Sequence, residues 1–162
     1  MGRSMKSHQP QASKNVDWLT PKWILDPLGT FHLDPCTPSK MPWSTADFRF
    51  TKDGHTRPWH GRVWLNPPFD EKSRAAFLER MAAHGNGIAL VAVATETEWF
   101  KAWIWPHATS ILFLSKRPYF HRPDGTRGKT NSGCSICLVG YGRQNDSILE
   151  ASGLGKFIRL KR

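Results

Sequence analysis

The sequence predicts an α/β fold, a sheet of like-directed strands with helices packed on both faces. Three observations carry this. Residues 88–94 are apolar without interruption, as in a strand buried on both sides. Residues 62–65 read as a second strand, stopped by Asn66-Pro67-Pro68 because proline has no N–H for a ladder. Between them Phe77, Leu78, Met81 and Ala82 recur at helical spacing, with Asp70 placed to cap residues 71–84 and Gly85 to end them.

The remaining elements follow in order. Thr20 reads as the cap of a short helix with Pro21 at its first position, turning Trp23 and Ile24 inward. Residues 30–34 read as a strand ended by Pro35. From 36 to 61 the chain is rich in proline, glycine and polar residues, and only Phe48-Arg49-Phe50 resembles a strand. Thr95-Glu96-Thr97-Glu98 matches a capping box before a helix that carries Trp99, Phe100 and Trp103 and stops at Pro106. Residues 111–114, 135–139 and 157–160 complete the expected strands. Ligands of such sheets gather at the carboxyl ends of the strands, where Asp34, Asn66 and Thr95 fall.

Composition narrows the class. A chain of 162 residues suits one domain, here residues 16–162, behind a polar, disordered arm at residues 1–15. The formal net charge of +10 favours a polyanionic partner and salt-sensitive binding. No apolar run has the length of a membrane span, and no obligate protein partner is evident. Cys36, Cys134 and Cys137 are too few for a disulfide framework, which fits a cytoplasmic protein. The pair Cys134 and Cys137 has no second pair or histidine cluster to complete a zinc site. Packed thiols are therefore expected, and no metal. His55 and His60 flank a Pro-Trp turn and read as surface or loop residues.

Asn66-Pro67-Pro68-Phe69 carries the chemistry. The Pro67 carbonyl escapes sheet pairing, the Asn66 side-chain oxygen can point to the same spot, and an aromatic ring follows. Two acceptors beside a stacking face suit the amino group of a flat base. Gripping its hydrogens localises the nitrogen lone pair, an interaction that strengthens as charge develops during alkylation. The same acceptors would serve cytosine, RNA or a planar protein amide. A strand-to-loop stop without chemistry uses the same residues.

With these motifs in hand, the chain resembles the small phage-type, Dam-like DNA adenine-N6 methyltransferases over residues 18–142. The likeness rests on an ordered series: Trp18-Leu19-Thr20-Pro21; Phe31-His32-Leu33-Asp34-Pro35-Cys36; Asp53-Gly54 with Trp59; Asn66-Pro67-Pro68-Phe69; Thr95 to Phe100; and 111–117 leading to Phe120. It implies a Rossmann-like sheet of the S-adenosylmethionine-dependent methyltransferase type, shortened on the side of strands 2 and 3. It implies S-adenosyl-L-methionine as cofactor, DNA as partner, and the cytoplasm of a bacterial host as location. Asn66, Pro67, Pro68 and Phe69 match the family's catalytic motif. Thr20 and Pro21, Asp34, Pro35 and Cys36, and Asp53 match its cofactor-binding segments. The glycine-rich turn usual after the first strand of the wider class is missing from 34–39. Asp34 also suits an ordinary turn cap.

Residues 116–129 interleave cations with aromatic rings, as backbone tracking and base stacking require. Arg122, Arg127 and Lys129 are the expected phosphate contacts there, and Lys72 and Arg74 those beside the flipped base. Basic DNA binding without catalysis is the rival of a different class.

Overall fold

The computed structural model describes residues 18–160; the amino-terminal arm lies outside them. Their architecture is mixed α/β, a seven-stranded sheet between two helical layers. In chain order the elements are α1 (Lys22–Leu25, prolonged by a 3-10 turn), β1 (Leu33–Asp34), β2 (Phe48–Arg49), β3 (Val63–Leu65), α2 (Glu71–His84) and β4 (Gly87–Ala92). Then come α3 (Glu98–Trp103), β5 (Ser110–Leu114), β6 (Ile136–Tyr141), α4 (Arg143–Ala151) and β7 (Gly155–Arg159).

The strand order is β2-β1-β3-β4-β6-β5-β7. Strands β1 to β4 pair in parallel, but β6 is antiparallel to both β4 and β5, and β7 is antiparallel to β5. The expectation of a like-directed sheet therefore fails in this half. The reason is the connection: no helix intervenes between β5 and β6, and without a crossover the chain returns antiparallel. The sheet is thin at its other edge, where β1 and β2 have two residues each.

Alternation along the strands builds two cores. Val63, Leu65, Ala89, Val91, Ile111 and Val139 face α2 and α3. Their neighbours Trp64, Ile88, Leu90, Leu112 and Leu138 face α1 and α4. Helix α2 is bounded as expected, with the Asp70 carboxylate accepting from Ser73 N–H and Gly85 closing the helix at φ 70°. Trp99 and Phe100 are buried in the first core.

Two caps differ from expectation. Thr97, not Thr95, precedes α3, and its hydroxyl donates back to the Ala94 carbonyl. Pro21, not Thr20, occupies the cap of α1, and its ring, with no polar atom, makes no side-chain cap bond. Helix α4 had no sequence signal. Its buried face is Asn145, Asp146 and Leu149, mostly polar, so no apolar period marks it. Asp146 accepts from Thr109 and Ser110, while Asn145 accepts from the Arg62 guanidinium at 2.6 Å. No described helix is long and apolar enough to cross a membrane.

Candidate functional site

Strands β1 and β3 are adjacent and parallel, so their carboxyl ends open on one edge of the sheet. The segments leaving them, residues 35–38 and 66–70, wall a cavity of about 500 Å³. The loop after β2 closes it with Thr51, Lys52, Asp53, Gly54 and His55. Trp18 joins from the amino-terminal segment, and Ser73 and Phe77 from the first turns of α2. The volume is that of an ordinary small-molecule site.

Asn66, Pro67, Pro68 and Phe69 all line it. Strand β3 ends at Leu65, so the Pro67 carbonyl takes no part in the ladder. The Asn66 side-chain nitrogen donates to Thr20 Oγ1 at 3.4 Å, and no described residue donates to Asn66 Oδ1. Phe69 keeps 64% of its surface exposed, unusual for a large aromatic side chain.

The cofactor residues divide. Pro35, Cys36 and Asp53 line the cavity, whereas Thr20, Pro21 and Asp34 do not. Asp34 is buried, with Oδ1 accepting from Cys36 N–H at 3.0 Å and Oδ2 from the Thr45 hydroxyl. Its place is that of a turn cap beneath the wall. Burial pushes its carboxyl up to about 6, against the opposing pull of Thr45, Cys36 and Arg49. The turn that lacks glycine thus owes its shape to an aspartate.

Asp53 adopts φ 53°, the one described non-glycine residue at positive φ. Its carbonyl accepts from Thr56 N–H at 3.0 Å and from the Thr56 hydroxyl at 2.9 Å. The Trp59 indole donates to Gly54 O at 2.7 Å. A backbone so clamped sets Lys52 and Asp53, neighbours in the chain, on the wall of the cavity. Lys52, His55, Thr51 and Trp18 escaped sequence reasoning, since loop residues without periodicity give no signal of what they face.

The basic segment 116–129 folds beside this site. His121 exchanges backbone bonds with Leu19 at 2.7 and 2.9 Å, and Asp124 closes a turn by accepting from Thr126. Arg122, Arg127 and Lys129 are exposed, with Arg127 over the Tyr119 ring at 4.4 Å. Lys72 is exposed on α2. Arg74 is otherwise engaged: it donates to the Phe69 carbonyl and lies 5.1 Å over the Trp99 ring.

Cys137 is a packed thiol, raised to about 12 by burial, but Cys134 precedes β6 and is exposed, contrary to expectation. His55 sits edge-on to Phe77 at the cavity, and His60 edge-on to the exposed Phe48. Comparisons with family models, curated proteins and solved structures found no match to this chain.

Proposed function

We propose that this chain is a DNA methyltransferase acting on the exocyclic amino group of adenine, with S-adenosyl-L-methionine as cofactor. One observation carries the reading: Asn66, Pro67 and Phe69 share a single open cavity with Pro35, Cys36 and Asp53. On this reading the mixed sheet is Rossmann-like and of the methyltransferase type, trimmed at the β2 edge, and the enzyme works in the cytoplasm.

The residues fit the cofactor. Lys52 and Asp53 offer a cation and an anion in one turn, suited to a zwitterionic nucleoside, between the apolar walls of Pro35, Pro38 and Phe77. The cofactor supplies an electrophilic methyl group when bound. The chain's own part is to hold the amino nitrogen. Asn66 Oδ1 and the Pro67 carbonyl accept its hydrogens, and Phe69 stacks on the base, worth about 1–3 kcal/mol. An exposed ring at a cavity mouth is available to a base that has left its helix. The net charge of +10 and the cations of 116–129 favour a nucleic acid over a protein amide.

The test is transfer of a tritiated methyl group to DNA, RNA and protein, with product nucleosides separated. Label is expected in N6-methyladenine, and Asn66→Ala is expected to lower turnover about a hundredfold or more. Label in N4-methylcytosine would move the substrate, and full activity of Asn66→Ala would remove the mechanism.

A further inference from the structure

Trp18 lines the same cavity as Asn66 and Phe69, and the proposed chemistry gives it no task. The segment that carries it is extended. Leu19 donates to the His121 carbonyl at 2.7 Å and accepts from the His121 N–H at 2.9 Å, an antiparallel bridge. Thr20 precedes a proline, which favours extended backbone. Along such a stretch residues two apart project to one side. Thr20 Oγ1 lies 3.4 Å from Asn66 Nδ2, so that side faces Asn66. Trp18 therefore enters the cavity at its Asn66 end, while buried Leu19 points the other way.

One edge of the indole meets the basic hairpin. Arg127 also bridges to His121, and Gly128 after it donates to the Phe120 carbonyl at 2.8 Å. A β-carbon on Gly128 would lie 3.3 Å from Trp18 Cζ3 and 2.9 Å from that carbonyl oxygen. Gly128 is buried between Arg127 and Lys129, which are exposed. The indole thus stands between two hairpin cations and the acceptors at Asn66 and Pro67. Elsewhere the cavity has other apolar walls, Pro35, Pro38 and Phe77.

We infer that Trp18 is a base-binding residue, giving the target base a second aromatic face besides Phe69. The inference rests on the methyltransferase reading above. A nucleotide with its phosphates on Arg127 and Lys129 and its amino group at Asn66 lays its base along the indole between them. Every base has a π-face, so the contact holds the base without reading sequence. The hairpin that tracks the backbone and the ring that receives the base are thereby parts of one bonded ribbon, joined at His121.

Trp18→Leu keeps an apolar side chain and removes the ring; Trp18→Phe keeps a ring. Both are compared with the wild type in methyl transfer to unmethylated genomic DNA. Calorimetry gives the S-adenosylhomocysteine dissociation constant, and DNA affinity is followed across salt concentrations. The kcat/KM for DNA is expected to fall about tenfold in Trp18→Leu and to stay within about twofold of wild type in Trp18→Phe. S-adenosylhomocysteine affinity and the slope of log K against log salt are expected to hold in both, since the cofactor walls and the cations remain. An unchanged kcat/KM in Trp18→Leu, or an equal loss in the two variants, overturns the inference. So does a weaker S-adenosylhomocysteine complex, which would make Trp18 a cofactor contact. A flatter salt slope also overturns it, by making Trp18 a prop for the hairpin. A wild type that methylates no nucleic acid sinks the methyltransferase reading itself, and this inference with it, before any variant is compared.

Discussion

Gly54 lies so close to Pro35 that a β-carbon on it would sit 1.8 Å from the Pro35 carbonyl oxygen. The approach joins two walls of the cavity, the turn after β1 and the loop after β2. Close backbone approach needs a residue without a side chain. The turn at 34–39 has no glycine, and the loop facing it supplies one. Gly54→Ala must push the walls apart, at about 1–3 kcal/mol in stability. Urea denaturation should record that loss, with a weaker S-adenosylhomocysteine complex; a variant equal to the wild type in both would contradict the packing.

Asp34 gives the pH dependence a definite sign. Its carboxyl rises from the ordinary 3.8 to about 6 on folding, because burial disfavours the anion. The folded state therefore binds a proton more tightly than the unfolded one. This stabilisation is complete below about pH 4, declines between about 4 and 6, and is gone above, a span on the order of 3 kcal/mol. Asp34→Asn removes the titration while keeping an acceptor for Cys36 N–H. Measured against that variant in urea, the wild type should lose ground as pH rises from about 4 to 7. A difference that stays flat across the range would refute the assignment.

Phe69 separates binding from stability. Because the ring is mostly solvent-exposed, Phe69→Ala should change unfolding free energy by no more than about 0.5 kcal/mol. Loss of stacking should nevertheless weaken substrate binding by about 1–3 kcal/mol, read as a rise in the dissociation constant for DNA. A large fall in melting temperature instead would mean that the ring packs rather than waits.

Arg74 and the hairpin cations should behave oppositely. Arg74 holds the Phe69 carbonyl and stacks on buried Trp99, so Arg74→Ala should cost about 1–3 kcal/mol of stability. Arg122, Arg127 and Lys129 are exposed, and their joint replacement by alanine should leave folding unchanged. In DNA binding the triple variant should flatten the dependence of log K on log salt by about 0.9 for each phosphate no longer neutralised. An unaltered slope would remove the hairpin from the interface.

Much of the architecture was legible in residue order. Asp70 and Gly85 bound α2 because capping is local chemistry, and the run at 88–94 became a central strand because only a doubly buried position suits it. Helix α4 was illegible for the converse reason. Its inner face is polar, and Asn145 and Asp146 are satisfied by Arg62, Thr109 and Ser110 from elsewhere in the chain. Strand direction after β5 was misread because apolar runs do not encode polarity, which here followed from a helix-free connection.

The sequence by itself determined the periodic elements, the abrupt stop of β3 at two prolines, and the excess of positive charge, all properties of neighbouring residues or of their sum. Only the tertiary structure decided that Asp53 and Lys52 share a wall with Phe69, that Asp34 turns away to brace the backbone, and that Thr20 reaches Asn66. Those juxtapositions come from folding distant segments onto one sheet edge, and a meeting of residues far apart in the chain leaves no mark on the residues beside either of them.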